Sequence, residues 1–100
     1  MRKITDRAFQ AFRANKNFSL SNTCVSSDTD QTRMFLHGNC IARKCRKSGL
    51  VEITTAGWDT PTTKERLKPF ASVNHHKHEL YLEGLLWTGE WTAIDCTNHA

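Results

Sequence analysis

Apolar side chains recur along this chain at two periods, and the change from one to the other divides it. Ile4, Ala8 and Phe12 stand at i, i+4 and i+8, with Phe9 beside them and Arg7, Gln10 and Arg13 elsewhere on the wheel. That spacing predicts an amphipathic helix over 4–15. Asn15-Lys16-Asn17 closes it, because Asn tolerates the left-handed backbone that ends helices. Phe18 and Leu20 are expected to fold back onto its apolar face. From Asn22 the period is two. Thr23 to Ser26 reads as a first strand, followed by a polar turn at residues 27–31. Thr32 to His37 reads as a second, with Met34 and Leu36 on one face. Gly38-Asn39 supplies a hairpin turn. Cys40 to Lys44 returns as a third strand carrying Ile41, and Lys47-Ser48-Gly49 turns it into a fourth, Leu50 to Thr54, with Val51 and Ile53 pointing one way. Residues 22–54 thus read as an antiparallel meander with one covered face.

The stretch from Ile53 to Leu67 is a strand end, a turn at Gly57 and a helix start. Thr62 is the expected N-cap, with Glu65 three residues later completing a capping box. The helix is expected over about 63–70, shortened by Pro69, with Leu67 and Phe70 buried. Asn74-His75-His76-Lys77 reads as a polar link. His78 to Glu83 alternates with Leu80 and Leu82 on one face, Glu83-Gly84 turns, and Leu85 to Trp87 and Glu90 to Ile94 finish the sheet around Thr88-Gly89. Residues 95–100 read as a loose tail. The expected architecture is a single α+β domain spanning 1–100. It is an antiparallel β-meander with an N-terminal helix, a short capped mid-chain helix and C-terminal strands over 78–94.

Composition supports one modest core and excludes disorder, since 38% of the 100 residues are apolar and three Trp and five Phe are present. No run approaches the ~18 apolar residues of a membrane span, and the basic N-terminus is followed by no apolar segment. The expectation is a protein that stays in the cytoplasm of the cell making it. There, four cysteines are expected as free thiols. The net charge of +4 comes largely from Arg43-Lys44-Cys45-Arg46-Lys47. Two readings of that run stand side by side, a solvated hairpin tip and a phosphate-contacting loop.

Chemistry is sparse. Cys40 and Cys45 are expected on opposite faces of one strand, which aims the thiols apart. His75, His76, His78 and His99 follow no recognised zinc spacing, so no metal and no cofactor is expected. No orienting signature surrounds any cysteine, and the acidic residues are scattered. His37, before a turn, is read as bonding its own backbone, so no enzyme is expected. Trp58, Tyr81, Trp87 and Trp91 remain. Core packing accounts for such aromatics, and the alternative is a protein-binding patch in which Trp87 and Trp91 neighbour each other around Thr88-Gly89.

The chain resembles a family of small bacteriophage and prophage proteins that carries no established activity. The resemblance lies in Asn22-Thr23 with Val25, Leu36-His37-Gly38-Asn39 with Ile41-Ala42, Ile53-Thr54, and Ala56-Gly57-Trp58 with Thr60. It continues through Thr62 to Leu67, Tyr81-Leu82, Gly84, Trp87 and Gly89-Glu90-Trp91. It implies phage origin and a compact α+β domain, and it brings no catalytic residues. The function expected from it is that of a phage-encoded accessory protein binding a host protein or ribonucleoprotein. The most concrete version is an inhibitor of a bacterial defence complex, of the anti-CRISPR or anti-restriction kind. A small basic nucleic-acid-binding regulator is the alternative, and a zinc-stabilised adaptor a third reading. The expected contact residues are Arg43, Lys44, Arg46, Lys47, Trp87 and Trp91.

Overall fold

Helix α1 (Lys3–Arg13) forms where the 3.6-residue period predicts it, and Thr5, Ala8, Phe9 and Phe12 make its buried stripe. Ile4 is only half-buried, so the face is rotated slightly towards Thr5. Asn15 takes φ 56°, and the Lys16 amide donates to Ala11 O at 2.9 Å while the Asn15 amide donates to Phe12 O at 3.3 Å. This is a Schellman closure, which gives the last carbonyls of the helix donors. A computed structural model describes residues 3–58, 60–77 and 79–94 of the chain. The expected loose tail at 95–100 lies outside the described residues.

The chain then winds through β1 (Phe18–Leu20), β2 (Thr23–Ser27), β3 (Gln31–Leu36), β4 (Asn39–Cys45) and β5 (Val51–Ile53), each antiparallel to the last. Phe18 folds back onto the core and under Arg7 of α1 as expected, whereas Leu20 is exposed, at the end of an edge strand. The hairpin turn is His37-Gly38 rather than Gly38-Asn39. Leu36 pairs with Asn39, and the two loop residues have φ 51° and 81°, the positive values that a type I′ turn needs.

A β-bulge lies between β3 and β4. Met34 faces Ala42 and Phe35 faces Cys40, so Ile41 is an extra residue and both Ile41 and Ala42 are buried. One inserted residue reverses the parity of a strand. Cys40 and Cys45 therefore share the outer face, paired with Phe35 and Gln31, and do not point to opposite sides. They stand about four strand residues apart, roughly 13 Å, well beyond reach of one metal ion.

Helix α2 (Pro61–Leu67) starts two residues before the expected helix. Thr60, at φ −86° and ψ 158°, is the N-cap, and its Oγ1 accepts from the Thr63 amide at 3.2 Å. Pro61 decides this, because it pushes the preceding residue into extended backbone and its own missing N–H costs nothing at the first helical position. Thr62 is thus inside the helix, and Glu65 accepts from Thr5 Oγ1 at 2.9 Å instead of closing a capping box. Leu67 and Phe70 are buried as expected. Phe70 meets Phe9 and Phe12 edge-on at 4.9 and 5.0 Å, which joins the two helical segments. Arg66 is fully buried between them, donating to Thr23 Oγ1 at 2.9 Å and to Thr5 Oγ1 at 2.8 Å.

The C-terminal strands do not continue the meander. The expected polar link is β6 (Val73–His76), which pairs with β7 (Glu79–Leu82), and β8 (Leu85–Leu86) pairs with β7 to make a separate three-stranded sheet. Leu80 and Leu82 share its buried face. Only β9 (Thr92–Ile94) returns, beside β5, so the large sheet has the order β1-β2-β3-β4-β5-β9. Among the described residues, two helices and nine strands in two antiparallel sheets, sharing one apolar cluster, make an α+β domain that is mostly β.

Candidate functional site

A cleft of about 380 Å³ opens at the end of the large sheet where β3 turns into β4. Leu36 and Ile41 reach it from that hairpin, and both are buried, so they form an apolar floor. Ile41 lines it because the bulge adds a second inward residue to β4. The opposite wall carries Thr55, Trp58 and Thr60. Ala56 and Gly57 take φ 55° and 83°, and the Trp58 amide donates back to Thr55 O at 2.9 Å. This tight turn throws Trp58 outward, where it is 59% exposed at the rim. The start of α2 completes the site with Thr60, Thr62 and Thr63.

The back of this loop is tied to the crossing between β8 and β9. The Thr55 amide donates to Gly89 O at 3.0 Å, and Thr54 Oγ1 donates to the same carbonyl. Gly89 has φ 87°, and a Cβ there would overlap Thr55 Oγ1, so only glycine fits. The side chains at the rim are His37, Asn39, Thr62 and Trp58. Among the described lining residues there is no carboxylate, amine, guanidinium or thiol. What the cleft can do is bind: an uncharged group can enter without leaving a charge unpaired.

The basic run does not form one surface. Lys44 points inward and donates from Nζ to Phe12 O at 3.0 Å and Arg13 O at 3.3 Å, with the ammonium 5.2 Å from the Phe12 ring centroid. It caps the C-terminus of α1, where a cation complements the helix dipole. Arg43 faces the other way. Its Nε lies 3.0 Å from Glu52 Oε1, and its guanidinium sits 3.9 Å from the Trp91 ring centroid. Arg46 donates to Asp28 O at 2.7 Å, and Lys47 is exposed at the tip. Alternation along β4 past the bulge is the reason, since neighbouring residues of a regular strand point to opposite faces.

The aromatic pair divides as well. Trp87 is 8% exposed and donates from Nε1 to Thr92 Oγ1 at 2.8 Å, so it is a core residue that cannot serve as a contact patch. Trp91 lies half-buried under Arg43. The expected neighbouring pair on a bulged edge is therefore replaced by one internal and one stacked ring. Trp58 is the tryptophan left open, and its position directly after Ala56-Gly57 and shortly before Thr60-Pro61 was the available signal. A ring between a tight turn and a helix cap belongs to no amphipathic face.

Cys24, Cys40 and Cys45 are free thiols. Ser48, through its side chain and then its amide, holds the Cys45 thiol below its ordinary value, whereas burial pushes Cys40 up. His75 Nδ1 lies 2.6 Å from Lys64 Nζ, and His76 is exposed; His78, His99 and Cys96 lie outside the described residues. Among the described residues no group of three or more His, Cys, Asp or Glu side chains could hold a metal ion. No helix there is long and apolar enough to cross a membrane.

No curated protein and no solved structure matches the chain. The family model for the Kyanoviridae Gp96 protein matches residues 1–96, nearly the whole length, and it bears out the phage resemblance of the motifs that frame the cleft. The chain belongs to the Kyanoviridae Gp96 family, a bacteriophage protein family.

Proposed function

We propose that the protein is a phage accessory protein that acts by binding a host macromolecule rather than by catalysis. Most concretely, it inhibits a bacterial defence complex of the CRISPR or restriction kind in the host cytoplasm. The observation that carries this reading is Trp58, exposed after a tight turn at the rim of a cleft with an apolar floor and no carboxylate, amine or guanidinium among its described lining residues. Exposed aromatics beside such depressions are the usual anchors of protein interfaces. A protein surface is favoured over nucleic acid because Arg43, Lys44 and Arg46 are engaged within the fold. The net positive charge also disfavours mimicry of DNA by a carboxylate-studded surface.

The test is plaquing of a susceptible phage on bacterial strains that each carry a single CRISPR or restriction system and express the protein. Wild-type protein should restore plaquing against at least one system. Trp58→Ala, with an unchanged melting temperature, should lose that restoration. Failure against every system refutes the inhibitor reading.

A further inference from the structure

We propose that the Trp58 cleft receives one uncharged apolar side chain of a partner polypeptide, of the leucine, methionine or phenylalanine class, with Asn39 and Thr62 holding the backbone beside it. This rests on the protein-binding reading above and names the chemistry of the contact.

Three features of the site carry it. The floor is Leu36 and Ile41, both buried, so the occupant's inner end must be apolar to gain from entering. The wall is the indole of Trp58, a large face at the rim that an inserted aliphatic or aromatic group would cover. The cleft's volume, about 380 Å³, lies at the small end of ligand sites and suits a single large side chain with its flanking peptide. A bare hydrocarbon would leave the polar rim unused. The half-buried side chains of Asn39 and Thr62 offer a donor and acceptor at the mouth, which are the groups that a peptide N–H and C=O require.

Charge selects against the alternatives. An inserted Lys or Arg would find no carboxylate among the described lining residues and an inserted Asp or Glu only the His37 imidazole, and each would lose its hydration. A nucleobase could stack on Trp58, but its phosphate would need a cation. Arg66 is buried among threonines, and Lys64 Nζ lies against His75 Nδ1. The basic tip lies at the far end of β4, six residues from Asn39, roughly 20 Å away at strand rise.

The test is NMR titration of ¹⁵N-labelled protein with N-acetyl-leucine amide, N-acetyl-phenylalanine amide, N-acetyl-lysine amide, adenosine and adenosine monophosphate. The two apolar amides should shift the amide resonances of residues 36–41, 55–58, 60, 62 and 63, with dissociation constants on the order of millimolar for ligands this small. The lysine amide and both adenine compounds should bind roughly tenfold or more weakly. Trp58→Ala and Thr62→Lys should each weaken the apolar amides by a similar factor while leaving the other resonances in place. Tighter binding of adenosine, shifts confined to another surface, unchanged affinity in both variants, or no shift at the highest soluble concentration would overturn the assignment. If the amides bind but plaquing is never restored, the inhibitor reading alone falls. If plaquing is restored while the cleft ignores the amides, the anchor alone falls.

Discussion

Replacing Lys44 by Met separates a structural lysine from a nucleic-acid contact. Lys44 Nζ gives two charge-assisted hydrogen bonds to the last carbonyls of α1, at 3.0 and 3.3 Å, and its stem crosses Phe12. Met keeps the stem and its apolar packing and removes the ammonium. Each hydrogen bond to a charged donor is worth ~1.5–3 kcal/mol when desolvated, and the dipole contribution is ~0.3–1 kcal/mol. Lys44 is only half-buried, so water replaces part of what is lost. The expected net cost is about 1–2 kcal/mol. In urea titration that appears as a lower midpoint with an unchanged slope, and in thermal melts as a fall of several degrees, at roughly 4–8 °C per kcal/mol for a domain of this size. Lys47→Met at the exposed tip is the control and should stay within about 0.5 kcal/mol of the parent. The reasoning is refuted if Lys44→Met is as stable as Lys47→Met. It is refuted equally if the loss seen on Lys44→Met is of salt-dependent nucleic-acid binding rather than of stability.

Thr60→Ala should cost about 1 kcal/mol in the same titration through loss of the cap, and Thr62→Ala should stay within about 0.5 kcal/mol. The Asp28 carboxylate accepts from the Gln31 and Asp30 amides, which lowers its pKa below the ordinary 3.8. A depressed carboxylate stabilises the fold above its unfolded pKa and loses that effect as pH falls through the folded one. Asp28→Asn should therefore be less stable than the parent at pH 7, with the gap closing in denaturant titrations taken towards pH 3. Cys45, exposed and held by Ser48 below the ordinary thiol value, should alkylate with iodoacetamide well before the half-buried Cys40, which burial pushes up, when peptides are followed by mass spectrometry.

Local rules account for the elements that single segments of the chain specify. The helical period from Ile4 to Phe12, the left-handed Asn15, the alternation of Met34 with Leu36 and of Leu80 with Leu82, and the turn at Glu83-Gly84 depend on neighbours within a few residues. Each reads correctly from the chain. The cap is legible too, since Thr60-Pro61 carries its own backbone bias, which prevails over the capping box that Thr62 and Glu65 offer. The phage family likewise lay in the motifs, and the match over residues 1–96 bears it out.

The rest was decided across long separations. The extra residue at Ile41 reverses the faces of β4, and nothing in Cys40 to Lys44 announces it, because a bulge is a property of two paired strands. Whether Leu85-Leu86 and Thr92 to Ile94 join one sheet or two depends on their partners, β7 and β5, not on their own propensity. Lys44 became a helix cap because β4 passes beneath the C-terminus of α1. Trp87 and Trp58 carry the same side chain and opposite fates, one sealed against Thr92 and the other thrown outward by the turn at Ala56-Gly57. The cleft belongs to this second class, since Leu36, Ile41, Trp58 and Thr62 meet only when the hairpin and α2 are packed together. Periodicity says which residues can be buried. Only packing says which ones run out of room and remain on the surface.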